Sequence, residues 1–363
     1  MKIAFYGSSL LSAYWNGAAT YYRGILKALA ERGHAVTFYE PDAFDRQQHR
    51  DIDPPDWVRS VVYPATEEGL RAVLAQAGEA DVVVKASGVG VFDRELIEGV
   101  VRHARRDATT VFWDVDAAAT LDEIRPDPAH PVRQALPALD LVLTYGGGPP
   151  VVDSYRAMGA RACVPIYNAL DPATHHPVAP DPAFACDLAF LANRLPDREA
   201  RVEEFFLRAA ALLGQRSFII GGSGWHDKAM PANVRAIGHV GTASHNAFNC
   251  TPRAVLNVAR DSMAQVGFSP ATRVFEAAGA GACLITDAWE GIELFLEPGS
   301  EVLVARDGQD VAEILAGLDE ARAQAIGKAA LARVLAEHTY DERAGRLDRL
   351  LRQERARKME VAA

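Results

Sequence analysis

Arg273-Val-Phe-Glu276-Ala-Ala-Gly279-Ala-Gly281-Ala-Cys-Leu-Ile-Thr-Asp287 is the stretch on which the reading of this chain turns. Its pattern predicts a helix carrying one carboxylate, a glycine break, and a buried strand ending in Asp287. In a doubly wound α/β domain, ligands collect at the carboxyl ends of strands and the amino ends of helices. Glu276, on the first turns of such a helix, suits a ribose, because one carboxylate accepts hydrogen bonds from two vicinal hydroxyls.

The same alternation runs outward in both directions. Upstream, strands are expected near 2–6, 35–39, 59–63, 81–86, 109–114, 139–144 and 161–165, with amphipathic helices at 19–31, 67–77, 93–106 and 150–158. Downstream, strands are expected near 187–191, 216–220, 234–237, 253–257, 282–286 and 301–304. Helices are expected at 197–213, 270–279, 308–318, 320–337 and 341–357. Strand–helix alternation implies parallel sheets with crossover helices, and runs such as Ala80-Asp-Val-Val-Val-Lys85 suit strands covered on both faces.

A length of 363 residues suggests two domains. The proline-dense stretch Asp171-Pro-Ala-Thr-His-His-Pro-Val-Ala-Pro-Asp-Pro182 reads as a stiff connector between them. The expected division is therefore a Rossmann-like domain over 1–168, a linker over 169–185 acting as a hinge, a second Rossmann-like domain over 186–340, and a terminal helix over 341–363 that can pack back on the first domain. Two such domains are expected to face each other across a cleft. His175 and His176 of the connector are expected to be exposed.

A net charge of −10 argues against a nucleic-acid partner, which needs a basic face. Cys163, Cys186, Cys250 and Cys283 show no paired or metal-ligand spacing and read as buried thiols of a reducing compartment. No apolar run reaches membrane-spanning length. The chain enters a strand at once with Lys2-Ile-Ala-Phe-Tyr6, so no signal peptide is expected and a cytoplasmic location is. The last helix, with Arg343, Arg346, Arg349, Arg352, Arg355, Arg357 and Lys358, has the makings of a peripheral membrane contact. Asp341, Glu342, Asp348 and Glu354 interrupt it, so a solvated outer face packed on the body is the preferred reading.

Several segments can carry chemistry. Ser269, followed by Pro270, is expected to cap the helix that leads through Thr272 and Arg273 to Glu276, leaving free amides and a fixed positive charge for a phosphate. In Gly221-Gly222-Ser-Gly-Trp-His226, glycine amides can approach a phosphate or sugar. In the first loop, Gly7-Ser8-Ser-Leu-Leu-Ser-Ala-Tyr-Trp15-Asn16-Gly17-Ala-Ala-Thr20, the residues Ser8, Asn16, Gly17 and Thr20 are expected to contact an acceptor. Asp114 and Asp116 end the apolar run Thr109-Thr-Val-Phe-Trp-Asp114, a place where a carboxylate can serve as general base for an acceptor hydroxyl, with Asp116 favoured. The alternative for this pair is a loop held by aspartate caps.

The segment around Glu276 resembles the donor-binding segment of glycosyltransferases of the two-domain GT-B fold. With Trp113-Asp114-Val-Asp116 and Arg253…Asn257-Val-Ala-Arg260-Asp261, the chain up to about residue 345 resembles the CgeB-like, spore-maturation-type glycosyltransferases. The resemblance implies a bacterial enzyme that moves a sugar from a nucleotide-diphosphate sugar to an acceptor. It further implies a basic pair at Arg194 and Arg198 holding the donor diphosphate through guanidinium forks, and His239 and Val240 meeting the nucleobase through backbone groups. Asn168 and Asp171 would be hinge residues at the interdomain segment. No resident cofactor and no metal are expected. One departure stands out: retaining families place a second Glu eight positions before the ribose-binding one, and here that position is Phe268. This leaves the donor sugar, the stereochemistry and two alternatives open, a nucleotide-sugar epimerase and a non-catalytic nucleotide-sugar-binding protein. Nucleobase, acceptor and oligomeric state are not readable from the sequence.

Overall fold

Short β-branched and aromatic runs alternate with amphipathic segments along the whole chain, and the computed structural model folds them into two α/β units. It describes residues 1–14 and 16–362; Trp15 and Ala363 lie outside the described residues. One unit comprises Met1–Tyr167 with Tyr340–Ala363, the other Asn168–Thr339.

The first unit contains, in order, β1 (Lys2–Tyr6), α1 (Ala19–Glu31), β2 (Ala35–Asp42), β3 (Val58–Pro64), α2 (Glu67–Ala75), β4 (Val82–Ala86), α3 (Asp93–His103), β5 (Thr109–Asp114), α4 (Ala117–Ile124), α5 (Pro131–Ala135), β6 (Leu141–Thr144), α6 (Gly148–Ala157) and β7 (Cys163–Pro165). Its seven parallel strands lie in the order β3-β2-β1-β4-β5-β6-β7. The order reverses between β1 and β4, so the loops leaving those strands diverge and open a crevice at their carboxyl ends.

The second unit contains β8 (Leu188–Leu191), α7 (Pro196–Val202), α8 (Arg208–Leu212), β9 (Phe218–Gly221), β10 (Val234–Gly238), α9 (His245–Cys250), β11 (Ala254–Asn257), α10 (Asp261–Val266), α11 (Thr272–Gly279), β12 (Leu284–Asp287), β13 (Leu303–Ala305), α12 (Gly308–Gly317) and α13 (Glu320–Glu337). Its six parallel strands run β10-β9-β8-β11-β12-β13, reversing between β8 and β11. A π-helical turn, Glu203–Leu207, joins α7 to α8, where the sequence suggested one uninterrupted helix. The connector belongs to this unit, which begins at Asn168 rather than after a free linker.

The last helix, α14 (Tyr340–Ala362), returns to the first unit and lies along α1. Gly24 permits this approach, since a Cβ there would stand 2.3 Å from the Tyr340 ring. Tyr340 joins Tyr21 in an aromatic core in which Trp113 Nε1 donates to Tyr21 Oη at 3.1 Å, which donates to the Ile166 carbonyl at 2.6 Å. At the other end of α14, Lys358 and Arg357 pair with Asp140, and Arg355 pairs with Asp81. These basic groups are bound to the unit's own carboxylates, which is the packed-face reading of this helix. Among the described residues, no helix is long and apolar enough to cross a membrane. All four cysteines are free; Cys163 and Cys283 are buried, and Cys186 and Cys250 are half-buried.

Candidate functional site

In the second unit, α7, which follows β8, carries Arg198, the loop leaving β11 carries Arg260, and α11 presents Arg273 and Glu276. The strand geometry brings these residues together although they span 79 positions of sequence. Arg260 Nε donates to Asp197 Oδ2 at 2.5 Å. Among the described residues Arg198 has no such partner, and its Nε is buried without a hydrogen bond. Burial pulls its guanidinium below the ordinary value; Asp197 opposes this, and the positive charges of Arg273 and Arg260 reinforce it. Arg273, half-buried, is likewise pulled down by burial, with Glu276 as the opposing charge. Arg273 depresses Arg198, and neither guanidinium forms a salt bridge among the described residues, so the pair favours a polyanion.

Arg201, one turn from Arg198 on the same helix, has a different fate. Its Nη2 donates to Asp287 Oδ2 at 2.6 Å, and the Asp287 side chain has no exposed surface. Both Asp287 oxygens also accept from the Ala259 amide at 3.1 Å. Burial raises the Asp287 carboxyl, and the Arg201 contact works against it. Asp287 thus holds the ends of β11 and β12 in register, so that Arg260 and α11 are presented at fixed positions. The strand-ending aspartate of the decisive stretch is a strut for the site.

Glu276 shares its surroundings with His245, whose ring Nε2 meets the Val240 carbonyl at 3.1 Å. Burial lowers the His245 imidazole; Glu276 raises it, and Arg273 and His175 lower it. His175 is 8% exposed, which corrects the expectation that both connector histidines face solvent; only His176 does. The connector packs under α11, placing the His175 carbonyl 3.2 Å from where a Cβ on Gly279 would stand.

Other expected site residues fall into place unevenly. Ser269 does not cap α11: the helix begins at Thr272 with Ala271 at the cap position and no side-chain cap, while Ser269 Oγ donates to the Gly267 carbonyl at 2.9 Å. The fully buried Asn168 explains the displacement, since its Nδ2 donates to the Pro270 carbonyl at 3.2 Å and holds that residue outside the helix. Asp171 closes a turn by accepting from the Ala173 amide at 2.9 Å.

Arg194 separates from Arg198. Its guanidinium is engaged by Glu199 at 2.7 Å and Asp227 at 2.9 Å, and Glu199 also takes Lys228 at 2.8 Å. The expected diphosphate-facing pair is therefore one free arginine and one neutralised one. Gly222 has φ of +115°, and a Cβ there would stand 2.1 Å from the Ala192 carbonyl oxygen. Its amide donates to the Gly238 carbonyl at 2.7 Å, and the Ser223 amide donates to Asn193 Oδ1 at 2.9 Å. The glycine stretch closes the β8 and β9 ends together, and these amides are not free for a ligand. Val240 is buried, and His239 is exposed.

In the first unit, Asp114 has no exposed surface and accepts from Ser87 Oγ at 2.8 Å, the Asp116 amide at 3.0 Å, Thr120 Oγ1 at 2.9 Å and Tyr155 Oη at 2.5 Å. Burial raises its carboxyl against these four donors. It anchors the turn into α4, and this corrects its expected catalytic place; Asp116, half-buried, stands at the cap position of α4. Ser8 and Asn16 are buried, with Ser8 Oγ donating to Asn16 Oδ1 at 3.0 Å and Asn16 Nδ2 donating to the Ser9 and Ser12 carbonyls at 2.8 and 3.0 Å. They hold the loop's shape instead of offering groups to a ligand. Gly17 and Thr20 are exposed.

Sequence reasoning missed the division of labour between Arg198 and Arg201 and the part of His245. Residues 198–349 match the family model described as glycosyl transferase-like. No curated protein matches the sequence. Among solved structures, sucrose-phosphate synthase from Thermosynechococcus elongatus is similar over 100% of both chains at 16% identity, with a TM-score of 0.68. Anabaena HepE, solved with UDP and glucose, is similar at 15% identity over 97% of this chain and 100% of its own, with a TM-score of 0.65. AviGT4, a glycosyltransferase involved in avilamycin A biosynthesis, is 18% identical over 98% of both chains, with a TM-score of 0.61. Two parallel-sheet Rossmann-like units with these neighbours define a GT-B fold, with the glycosyl transferase-like match lying over most of the second unit and the start of α14.

Proposed function

We propose that this chain is a glycosyltransferase that moves a hexose from a nucleoside diphosphate sugar to an acceptor taken by the amino-terminal unit. The observation that carries this reading is the couple Arg198 and Arg273, neither of them in a salt bridge among the described residues, beside Glu276 at the reversal point of the second sheet. Glu276 takes the ribose hydroxyls. Arg198, Arg273 and the first-turn amides of α11 take the diphosphate and stabilise it as a leaving group without a metal. Uridine is the base to try first, because HepE was solved with UDP. Glu290 is exposed, and its main-chain carbonyl accepts from the Phe268 amide at 2.6 Å, which makes it the acidic residue to test in place of the one retaining families carry at that position. We assign it to the donor sugar and Asp116 to the acceptor hydroxyl. Membership of the CgeB-like family and a cytoplasmic location accord with the sequence patterns.

The test is thermal denaturation with and without UDP, since a ligand bound only by the folded chain raises its stability. Wild type should be stabilised, and folded Glu276→Ala should lose most of that gain. An undiminished gain in Glu276→Ala removes the ribose assignment. Release of free sugar nucleotide isomers from donor alone, with no transfer across an acceptor panel, would favour an epimerase.

A further inference from the structure

The amino-terminal unit holds another arginine with no carboxylate partner among the described residues. Arg46, on the loop after β2, is 7% exposed, yet no carboxylate among the described residues pairs with it. Its Nη1 makes two long hydrogen bonds, 3.3 Å to the Ser8 carbonyl and 3.4 Å to the Val89 carbonyl. Nε is buried with no partner, and Nη2 makes no hydrogen bond among the described residues. The Nε–Nη2 edge, which grips carboxylates and phosphates in two-pronged fashion, is thus the unused side. Glu40 is the nearest opposing charge, but its oxygens are filled by Ser9 Oγ, Gln47 Nε2 and the amides of Leu10 and Leu11.

The surroundings point the same way. Ser8 and Val89 follow β1 and β4, the two strands between which the sheet order reverses, so Arg46 lies at this unit's own crevice. Tyr22, fully buried and within electrostatic reach of Arg46, has only the Ser8 hydroxyl as a hydrogen-bonding neighbour for its own hydroxyl among the described residues. The guanidinium lies over the Phe44 ring at 5.0 Å, and that ring is 53% exposed. Phe44 and Asp45 both hold left-handed backbone, φ 58° and 55°, a strained pair that fixes this arrangement. A buried charge without a partner weakens a fold; an external anion supplies the missing partner.

We propose that Arg46, with Tyr22 Oη beside it, binds an oxyanion, a carboxylate or a phosphate, on the acceptor molecule. The word acceptor rests on the glycosyl-transfer reading; the anion site rests on the amino-terminal unit alone. The experiment uses the full chain in saturating UDP, which occupies the arginines of the other unit, and titrates glucuronate and inorganic phosphate separately against chloride at equal ionic strength. At least one anion should stabilise wild type, and Arg46→Met should lose about tenfold or more in affinity for it. A response to glucuronate alone assigns a carboxylate; a response to phosphate assigns a phosphate. In chloride, Arg46→Met should melt at or above the wild-type temperature, because it removes an unpaired charge. Arg46→Lys, which keeps the charge but lacks the two-pronged edge, should also bind about tenfold more weakly.

Equal anion responses in wild type and Arg46→Met overturn the proposal, as does no response to either anion. So does a marked loss of stability or of folding in Arg46→Met, which would make Arg46 a structural strut. An unchanged affinity in Arg46→Lys counts against it equally. The UDP response is read in parallel. Its absence in wild type would sink the nucleotide reading and leave the Arg46 result standing.

Discussion

Arg198 and Arg201 lie one turn apart on α7, and replacing each with Met should give opposite phenotypes. Arg201 pairs with Asp287, whose side chain has no exposed surface. Removing it leaves a buried carboxylate with only the Ala259 amide and the Thr286 hydroxyl as donors. Breaking a buried pair from one side costs about 3–5 kcal/mol, which for a unit of this size lowers the melting temperature by on the order of 10 °C. Arg198 has no carboxylate to abandon, and its charge is opposed by Arg273 and Arg260. Arg198→Met should therefore melt at or above wild type. Its deficit should appear in UDP binding, where one charge-assisted hydrogen bond is worth about 1.5–3 kcal/mol, or about ten- to a hundredfold in Kd. Thermal denaturation and UDP calorimetry on both variants settle the matter. The reasoning is refuted if Arg198→Met falls as far as Arg201→Met, or if it binds UDP like wild type.

Three further outcomes are expected. Gly222→Ala should destabilise by at least about 2 kcal/mol, because the residue combines φ of +115° with a carbonyl 2.1 Å from the new methyl; chemical denaturation reads this directly, and a neutral result would deny the strand-end closure. Asp116→Asn should slow transfer while UDP affinity stays within about twofold, within the error of additivity for separate sites; an unaltered turnover rate removes the base assignment. The carboxyl end of α14 should detach in acid. Burial alone would raise Asp140 and Asp81, but Lys358, with the Thr110 amide, holds Asp140 below its ordinary value, and the Lys2 amide, with Arg355, does the same for Asp81. A folded value below the unfolded one means the contribution is present above about pH 4 and is lost as pH falls through the lower folded value. Hydrogen exchange should show α14 losing protection in that window, and α14 amides as protected there as at neutral pH would contradict it.

Strand existence was legible in the sequence because parallel strands buried on both faces leave continuous apolar runs, and β1, β5 and α1 fall at their expected bounds. Helices such as α9 and α10, six residues each, carry too little periodicity to register. The start of α11 was misjudged because Ser269 and Pro270 look like a cap and first turn. The competing hold on Pro270 comes from Asn168, 102 residues away. His175 failed similarly: a polar connector reads as solvated until α11 is packed over it.

The arginines show where sequence reasoning stops for this chain. Arg194, Arg198 and Arg201 differ little in local context, and all three follow the end of β8. Their fates are set by partners brought in by the fold: Asp227 for Arg194, Asp287 for Arg201, and for Arg198 no salt bridge among the described residues, with Asp197 attracting its charge and Arg273 and Arg260 repelling it. A pattern of residue types can nominate a basic loop, but it cannot say which charge is already neutralised. The distinction follows from the desolvation cost. A partly buried guanidinium without a salt bridge gains little for the folded state by itself, which leaves it able to take an anion from outside the chain. The same reasoning selects Arg46 in the other unit, where the unused edge lies at the reversal point of a separate sheet. Each unit thus places an arginine without a salt bridge among the described residues where its own topology opens a crevice.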